Sequence, residues 1–326
     1  MNRFVVWALK HQEIGPLVGL VALSIAFHLA SGHLFFTSGQ ISAVAALSSS
    51  VGIVALGVTI LMISGEFDLS VSATFALAPI LMASLVNQAG WPPLAALLLA
   101  VSAVSVIGLT NGLLTMFTGI PSFIATLGML FAIKSVNRML AGGAPVELLE
   151  TEDRIIRWMG AELPYTPFTA PLIWMFGFGA LLWFVLEHTS HGNATRAIGD
   201  QEGSIARAMG VPVMQTKLVN FVVCAVLAGL SGCLQLADFG YASVDSGRDH
   251  NLMAIVAVVI GGTSLLGVRG TVLGSLLGAL LLGTLKSGLV LVGTRGEFYD
   301  LLIGVLLLMA AIFNAWAKTI RDRSGR

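Results

Sequence analysis

Residues 51–75 read VGIVALGVTILMISGEFDLSVSATF, and this stretch decides the fold. It consists of two apolar runs joined by a short polar segment that contains Glu66 and Asp68. Gly65 interrupts the first run, and Ser72 lies where a new helix can start. The stretch therefore predicts two helices with a break between them, and it raises the question of what two carboxylates do at that break.

The composition of the chain is that of an integral membrane protein. Of the 326 residues, 56% are hydrophobic and 10% are charged, and the mean hydropathy is +0.90, whereas about a quarter of the residues of a soluble domain are charged. The formal net charge is zero, so the total charge gives no indication of a nucleic-acid partner. Cys224 and Cys233 lie in one apolar run, about 13 Å apart along a helix, which excludes a disulfide between them.

Long, unbroken apolar runs predict an all-α integral membrane protein. A helix needs about 20 apolar residues to cross the hydrocarbon core, whereas the strands of a membrane barrel show short alternating segments. About ten runs meet the requirement for a helix, and some of them predict short or discontinuous helices. They cover residues 15–35, 41–64, 71–87, 92–116, 122–141, 168–187, 215–237, 252–266, 271–293 and 298–317.

The basic residues predict which side of the membrane each loop faces, because cytoplasmic loops carry an excess of Lys and Arg. With an even number of spans, the side that holds both termini collects most of these residues, so both termini are expected in the cytoplasm. An odd number of spans divides the basic residues less cleanly and stays the alternative. Residues 1–12 are expected to form an amphipathic segment at the membrane interface.

Two loops are long enough to have roles of their own. Residues 142–166 are expected on the outer side, where LLETEDRIIRWMG has apolar residues at near-helical spacing and predicts an interfacial helix. Residues 188–214 are expected in the cytoplasm. Within them Asp200 is suited to cap a helix and Gly210 to stop one, so a short surface helix is predicted. An ordinary capped connector is the alternative.

A second interrupted apolar region, VVIGGTSLLGVRGTVLGSLLGALLLG, covers residues 258–283. Two such regions, one in each half of the chain, are typical of transporters with discontinuous helices along a pathway. For Glu66 and Asp68 the residues alone leave two interpretations: solvated acids of a tight turn that cap the next helix, or part of the pathway. Asn111 and Asn137 lie within predicted spans, where polar groups often face a cavity or a partner.

The chain contains no signature of an enzyme. It has no GxxxxGK[ST] loop, and GTLKS at residues 283–287 lacks the required order, so the chain itself is not expected to hydrolyse a nucleotide. Its six histidines show no spacing typical of metal ligands. We therefore expect no catalytic residue, metal or cofactor in this chain.

Four stretches together resemble the signature regions of a known family. They are GEFDLSVSA, LTNGLLTMFTGIPSFIATLGML, RAIGDQEGSIARAMGVPV and AIVAVVIGGTSLLGVRGTVLGSLLGALLLG. In this order and at this spacing they resemble the monosaccharide permeases of bacterial ATP-binding-cassette importers, which include the ribose, xylose and galactose permeases. The resemblance extends from Val44 to Phe313. Family members usually show GGIDLSVG, in which Glu66 and Phe67 here replace Gly and Ile, and this departure leaves the identity of the solute open.

The resemblance implies a single transmembrane permease domain over residues 1–326, in the bacterial inner membrane. Such a subunit pairs with a second permease copy or a paralogue. It receives a small polar solute, above all a monosaccharide or related polyol, from a periplasmic binding protein that docks on the outer surface, including residues 142–166. It passes the solute to the cytoplasm by alternating access, driven by two cytoplasmic ATPase domains that bind ATP and Mg²⁺.

The resemblance also implies roles for residues by position. The segment that couples to the ATPase comprises Gly199, Asp200, Glu202, Gly203, Ala206, Ala208 and Gly210. Candidates for the translocation pathway or its gates are Glu66, Asp68, Ser72, Asn111, Ser122, Phe123, Thr126 and Asn137. The span that begins with Pro121 is expected to border the pathway and to help gate its outer end.

Two alternatives stay open. The first keeps the importer but changes its cargo to a signalling furanone, a nucleoside or an amino acid. The second is a different class, an ion-coupled secondary transporter or channel. In that class Glu66 and Asp68 form an intramembrane ion site and no partner protein is needed.

Overall fold

The computed structural model describes residues 13–149, 153–199, 204–265, 267–295, 298–310 and 312, so the predicted interfacial segment 1–12 lies outside the described residues. Apart from loops and two very short strands, the described chain is helical. Its helices are α1 (Ile14–Ala30), α2 (Ser38–Ile63), α3 (Val71–Ala89), α4 (Pro93–Thr118), α5 (Ser122–Ala141), α6 (Arg154–Gly160), α7 (Ala170–His188), α8 (Ser190–Ile198), α9 (Ser204–Ala208), α10 (Val213–Phe239), α11 (His250–Ile260), α12 (Val272–Leu291) and α13 (Phe298–Ala310).

The predicted break between two helices is confirmed. α2 ends at Ile63, and Gly65 then takes a φ of 81°, a left-handed conformation that glycine adopts without steric cost. α3 starts at Val71, so the two carboxylates lie in a non-helical segment between two apolar helices.

α2 forms the centre of the bundle and packs against α7, α10, α11 and α12. Every residue from Val51 to Ile63 is buried. Small residues make this packing possible: a Cβ at Gly57 would lie 2.9 Å from the Cα of Cys224 in α10. Close approach of backbones at small residues is typical of helices that associate in membranes.

Seven of the described helices, α2 to α5, α7, α10 and α12, are long and apolar enough to cross a membrane. Three more apolar helices, α1, α11 and α13, are shorter. α11 has 11 residues, about 16 Å, or half the thickness of the hydrocarbon core. The prediction of an all-α membrane protein with short helices is confirmed, whereas a count of ten full spans is not established by the described residues.

The two long loops lie at opposite ends of the bundle. Gly65, before α3, lies beside Gly199, after α8. At the other end of α3, the amide of Asn87 donates to the carbonyl oxygen of Glu147 (2.6 Å). We call the end with Gly65 and Gly199 the junction end and the opposite one the far end. Which of them faces the cytoplasm stays a prediction.

The far-end loop, residues 142–166, contains the helix that its sequence predicted, α6. The carboxylate of Asp153 accepts a hydrogen bond from the N–H of Ile155 (2.7 Å) and so caps α6. The loop also contains a strand that was not predicted: β1 (Val146–Glu147) pairs antiparallel with β2 (Tyr241–Ala242), which follows α10.

Candidate functional site

Three segments meet at the junction end: the end of α2, the residue after α8, and the loop before α12. The N–H of Val268 donates to the carbonyl oxygen of Ile63 (2.9 Å). Gly199 lies against both, because a Cβ at this position would stand 2.2 Å from that oxygen and 2.5 Å from the nitrogen of Val268. We call residues 63–70, Gly199 and residues 267–268 the junction. The expected coupling segment thus begins in backbone contact with both interrupted regions of the chain.

The junction contains a strained backbone conformation. Val268 has a φ of 70°, a left-handed value that β-branched residues rarely adopt. Such strain costs on the order of 1–3 kcal/mol and persists only where the surroundings impose it. Here the hydrogen bond to Ile63 and the contact with Gly199 impose it. Strain of this kind is concentrated at functional sites, so the junction is a candidate for one.

Asp68 is the centre of a buried hydrogen-bond network. Its Oδ1 accepts bonds from the N–H (2.7 Å) and the hydroxyl (2.6 Å) of Ser70. Its Oδ2 accepts a bond from Nδ2 of Asn111 in α4 (3.1 Å), and the same amide also donates to the Ser70 hydroxyl (2.9 Å). Burial raises the pKa of the Asp68 carboxyl, while the bonds from Ser70 and Asn111 lower it.

The break also lies along the first half of α5. The Ser122 hydroxyl accepts a bond from the N–H of Phe67 (3.0 Å), and the Thr126 hydroxyl accepts one from the N–H of Leu69 (3.0 Å). Two backbone donors that no helix satisfies are thereby paired with side chains. The break is therefore held between α4 and α5 and does not form a loose loop.

Glu66 forms a buried ion pair. Its Oε1 lies 2.5 Å from Nζ of Lys217, near the start of α10, and both residues are more than 90% buried. A charge removed from water needs such a partner, because an isolated buried charge costs several kcal/mol. Lys217 was not expected as the partner of Glu66, because it is distant in the chain. An acid at a Gly-broken span was the one available sign that a buried cation was needed.

These contacts exclude one of the two interpretations of the acids, and the other, that they belong to the pathway, stays a prediction. A tight turn with solvated carboxylates is wrong, because Glu66 and Asp68 are both buried. Asp68 does contribute locally, since its bonds to Ser70 shape the turn that leads into α3. Asp68, Asn111 and the break segment also connect α4 to α3. The break is a structural joint within the bundle.

The pathway candidates do not form one group in the structure. The set around the break comprises Glu66, Asp68, Asn111, Ser122 and Thr126. Farther along α5, Nδ2 of Asn137 donates to the carbonyl oxygen of Ala73 (2.9 Å), next to Ser72. Phe123 is exposed on the surface of α5. Ser122 and Thr126 hold the break at the junction end, and the expectation that the span after Pro121 borders the pathway and helps gate its outer end stays a prediction.

The coupling segment is only partly described. Asp200, Glu202 and Gly203 lie outside the described residues. α8 is attached to the bundle, since Nε2 of His191 lies 2.8 Å from Oδ1 of Asn220 in α10. After α9, Gly210 has a φ of 82° and ends the segment at the predicted position.

One residue of the coupling segment, Ala206, is buried within this chain and does not face a partner. Ala206 is 3% exposed and packs against Ile198 and Val213, so it belongs to the permease itself. The exposed side of α9 and of the residue after it carries Ala208 together with two large apolar side chains, Ile205 (56% exposed) and Met209 (79% exposed). Ile205 and Met209 together form an exposed apolar patch, a feature shared by protein and membrane interaction sites.

Comparison with known proteins shows to which family this chain is similar. Residues 40–311 match the family described as the branched-chain amino acid transport system permease component. The fructose import permease protein FrcC of Rhizobium meliloti is 30% identical over 94% of this chain and 86% of its own length. The ribose import permease protein RbsC of Escherichia coli K12 is 31% identical over 94% of both chains. The xylose/arabinose import permease protein XylH of Sulfolobus acidocaldarius is 30% identical over 91% of this chain and 83% of its own length.

The family match covers more than half of the chain, and each of these relatives aligns with nearly all of it. The relatives are import permeases by name, and the seven long apolar helices suit a protein that crosses the membrane several times. The chain therefore belongs to the monosaccharide permease family of ATP-binding-cassette importers.

Proposed function

We propose that this chain is the transmembrane subunit of an ATP-driven importer that moves a small polar solute, a monosaccharide or related polyol, from the periplasm to the cytoplasm by alternating access. Relatives whose names specify fructose, ribose and xylose/arabinose support the solute class. The chain has no nucleotide-binding loop, so ATP and Mg²⁺ bind on separate ATPase subunits.

The observation that carries this proposal is the junction. The coupling segment 199–210 contacts both interrupted regions at their breaks, through backbone atoms at Gly199. Because backbone atoms contact each other here with no side chain between them, a displacement of the coupling segment moves Ile63 and Val268 directly. Ile63 leads into the break, and the break is bonded to α4 and α5. Closure of the ATPases can thereby shift α2, α4 and α5 together.

The ATPase contact is assigned to the exposed face of α9. Ile205 and Met209 are apolar and exposed, and Ala208 beside them is small enough for a groove to approach closely. α9 has five residues in the described chain, too few to be stable as an isolated helix. A partner that covers this face stabilises α9 and transmits its own movement to it.

A second permease copy or a paralogue is assigned to α5. Only a narrow stripe of this helix is buried within the chain, comprising Ser122, Thr126, Leu130, Ile133 and Asn137. Its other faces expose large apolar side chains such as Phe123 and Phe131. The far-end loop 142–166 is assigned to the periplasmic binding protein. We propose that the chain lies in the bacterial inner membrane with both termini in the cytoplasm.

Reconstitution with its partners tests this function. The permease is assembled in proteoliposomes with its cognate ATPase and binding protein, and uptake of radiolabelled ribose, fructose and xylose is measured. We expect uptake that needs all three components and ATP, and that stops when the ATPase is inactivated by substitution of its nucleotide-binding lysine. Uptake driven by an ion gradient without the ATPase, or ATP hydrolysis by the permease alone, contradicts the proposal.

The alternatives make different predictions in the same system. A secondary transporter needs carboxylate oxygens that face a cation, whereas Asp68 accepts three hydrogen bonds and Glu66 is paired with Lys217. An importer of a furanone, a nucleoside or an amino acid behaves as expected with ATP but transports none of the sugars. Binding of a solute panel to the cognate binding protein separates these cargoes.

A further inference from the structure

A cavity of about 280 Å³ lies between α3, α5 and the loop before α11. None of the residues in the hydrogen-bond network around Asp68 lines it. Its lining comprises Ser72, Lys134, Arg138, Val244, Asp245 and Arg248. Two contacts hold its walls together. Asn137 of α5 donates to the carbonyl oxygen of Ala73 in α3 (2.9 Å). On the other side, the ring of Phe75 lies 4.5 Å from the ring of His250, which follows the loop.

The lining carries an excess of positive charge. Lys134, Arg138 and Arg248 contribute three cations, and Asp245 contributes one carboxylate. Within the part of the chain that the structure describes, none of these four side chains takes part in an ion pair or a hydrogen bond, and the ion pairs found there are those of Arg196 with Glu187 and of Lys217 with Glu66. The lining therefore carries two net positive charges, and Arg138 and Arg248 are also exposed to solvent.

The buried hydroxyl of Ser72 is a second feature of the cavity that suits a bound anion. Ser72 is 2% exposed, and its Oγ has no hydrogen-bond partner among the described residues, although it lines the cavity. A buried hydroxyl without a partner costs about 1–3 kcal/mol. It becomes useful when a bound molecule accepts its hydrogen bond. A donor hydroxyl beside three cationic donors suits an anionic oxygen as that acceptor.

The size of the cavity fits one small solute. At ~30 Å³ for each water molecule, 280 Å³ corresponds to about nine waters. That volume accommodates the acidic end of a sugar acid or a sugar phosphate. The two guanidinium groups can each offer paired N–H donors to a carboxylate or phosphate, whereas the ammonium group of Lys134 acts as a point charge.

We infer that this cavity is an oxyanion site, and that it binds a hydroxylated small molecule with a carboxylate or phosphate group. The inference goes beyond the proposed importer function and does not depend on it, because it concerns a binding site other than that of the transported neutral sugar. It follows from a lining with two net positive charges and from a free buried hydroxyl around one cavity.

A thiol reporter measures the field of the cavity directly. Val244 lines the cavity without offering a polar group, so Val244→Cys introduces the reporter and leaves all the proposed ligands in place. The native Cys224 and Cys233 are free but fully buried, and the parent chain, labelled in parallel, gives the background. In phosphatidylcholine nanodiscs, an anionic sulfonate methanethiosulfonate should react faster than its cationic trimethylammonium analogue by on the order of tenfold, after correction for their rates with free thiol.

Two variants in the reporter background check the origin of this preference. Replacement of the three cations by Gln (Lys134→Gln, Arg138→Gln, Arg248→Gln) should abolish it, and Asp245→Asn should increase it. Equal rates for the two reagents in the reporter protein, or an unchanged preference after the three replacements, would overturn the inference. Size-exclusion profiles of all the variants identify any that fail to fold, and Asp245→Asn alone then still tests the sign of the effect.

The ligand class is tested by protection of the same thiol. D-gluconate should slow the anionic reagent in phosphatidylcholine nanodiscs, D-glucose at the same concentration should not, and Ser72→Ala should weaken the protection by D-gluconate. Equal effects of the two solutes, or no effect of either, contradict the inference. Slowing by phosphatidylglycerol in the nanodisc but not by D-gluconate would instead assign the cavity to a lipid headgroup. The measurement uses no ATPase, so its outcome is independent of the ATP-driven transport assay.

Discussion

Removal of one charge from the buried pair of Glu66 and Lys217 tests how the break is held. Lys217→Met keeps the aliphatic part of the side chain but leaves the Glu66 carboxylate buried and unpaired. Loss of one partner of a buried ion pair costs about 3–5 kcal/mol, whereas replacement of both partners by uncharged residues is often nearly neutral. Lys217→Met should therefore be strongly destabilising, and Glu66→Gln together with Lys217→Met should recover most of the loss.

Thermal unfolding in nanodiscs, followed by tryptophan fluorescence, measures both effects. At about 2 °C for each kcal/mol in a chain of this size, the single variant should unfold roughly 6–10 °C lower than the parent. Lys286→Met is a matched control, because Lys286 forms no ion pair within the described residues and lies over the ring of Tyr299, a contact worth about 1 kcal/mol. If the single and double variants unfold at the same temperature, the ion pair does not hold the break and the reasoning is refuted.

Three further substitutions address the break, the coupling face and the strained residue. Asp68→Asn should keep most of the transport, because an amide oxygen can still accept both bonds from Ser70, whereas Asp68→Leu should abolish it; equal uptake by the two variants would exclude this role. Replacement of Ile205 and Met209 by Ser should reduce recovery of the ATPase with the purified permease by at least about tenfold without a change in thermal stability; full recovery would place the contact elsewhere. Val268→Gly should raise the stability by about 1 kcal/mol in thermal unfolding, because glycine adopts the left-handed conformation freely; a lower stability would show that the valine side chain contributes more than its strain costs.

Much of the helical architecture could be predicted, because helix-breaking residues such as glycine and the length of each apolar run determine where the helices begin and end. The predicted spans 71–87 and 122–141 agree closely with α3 (Val71–Ala89) and α5 (Ser122–Ala141). The break at Gly65 was recognisable from the glycine and the acids that follow it. The second interrupted region was recognisable in the same way, since Gly261 and Gly262 follow the end of α11 at Ile260, although the predicted span 252–266 runs past that end.

The candidate site could be predicted only in part, because its partners come from distant parts of the chain. The sequence singles out Glu66 but not Lys217, since the ion pair exists only once α10 packs beside the break. It singles out Gly199 as part of the coupling segment but not its contact with Ile63 and Val268. The burial of Ala206 shows the same limit: small size suits a close contact equally well with a partner or with the chain's own helices.

The central claim, that the coupling segment drives both breaks through Gly199, is tested most directly by Gly199→Ala in the complete importer. A methyl group there would meet backbone atoms of Ile63 and Val268 at 2.2 and 2.5 Å and would force the segments apart. Gly177→Ala is the matched control, because nothing lies within 4 Å of a Cβ at that position. The measured quantity is the number of solute molecules imported for each ATP hydrolysed. We predict that Gly199→Ala lowers this ratio by at least about tenfold while hydrolysis continues and Gly177→Ala leaves it unchanged, and an unaltered ratio in an assembled Gly199→Ala importer would contradict the account.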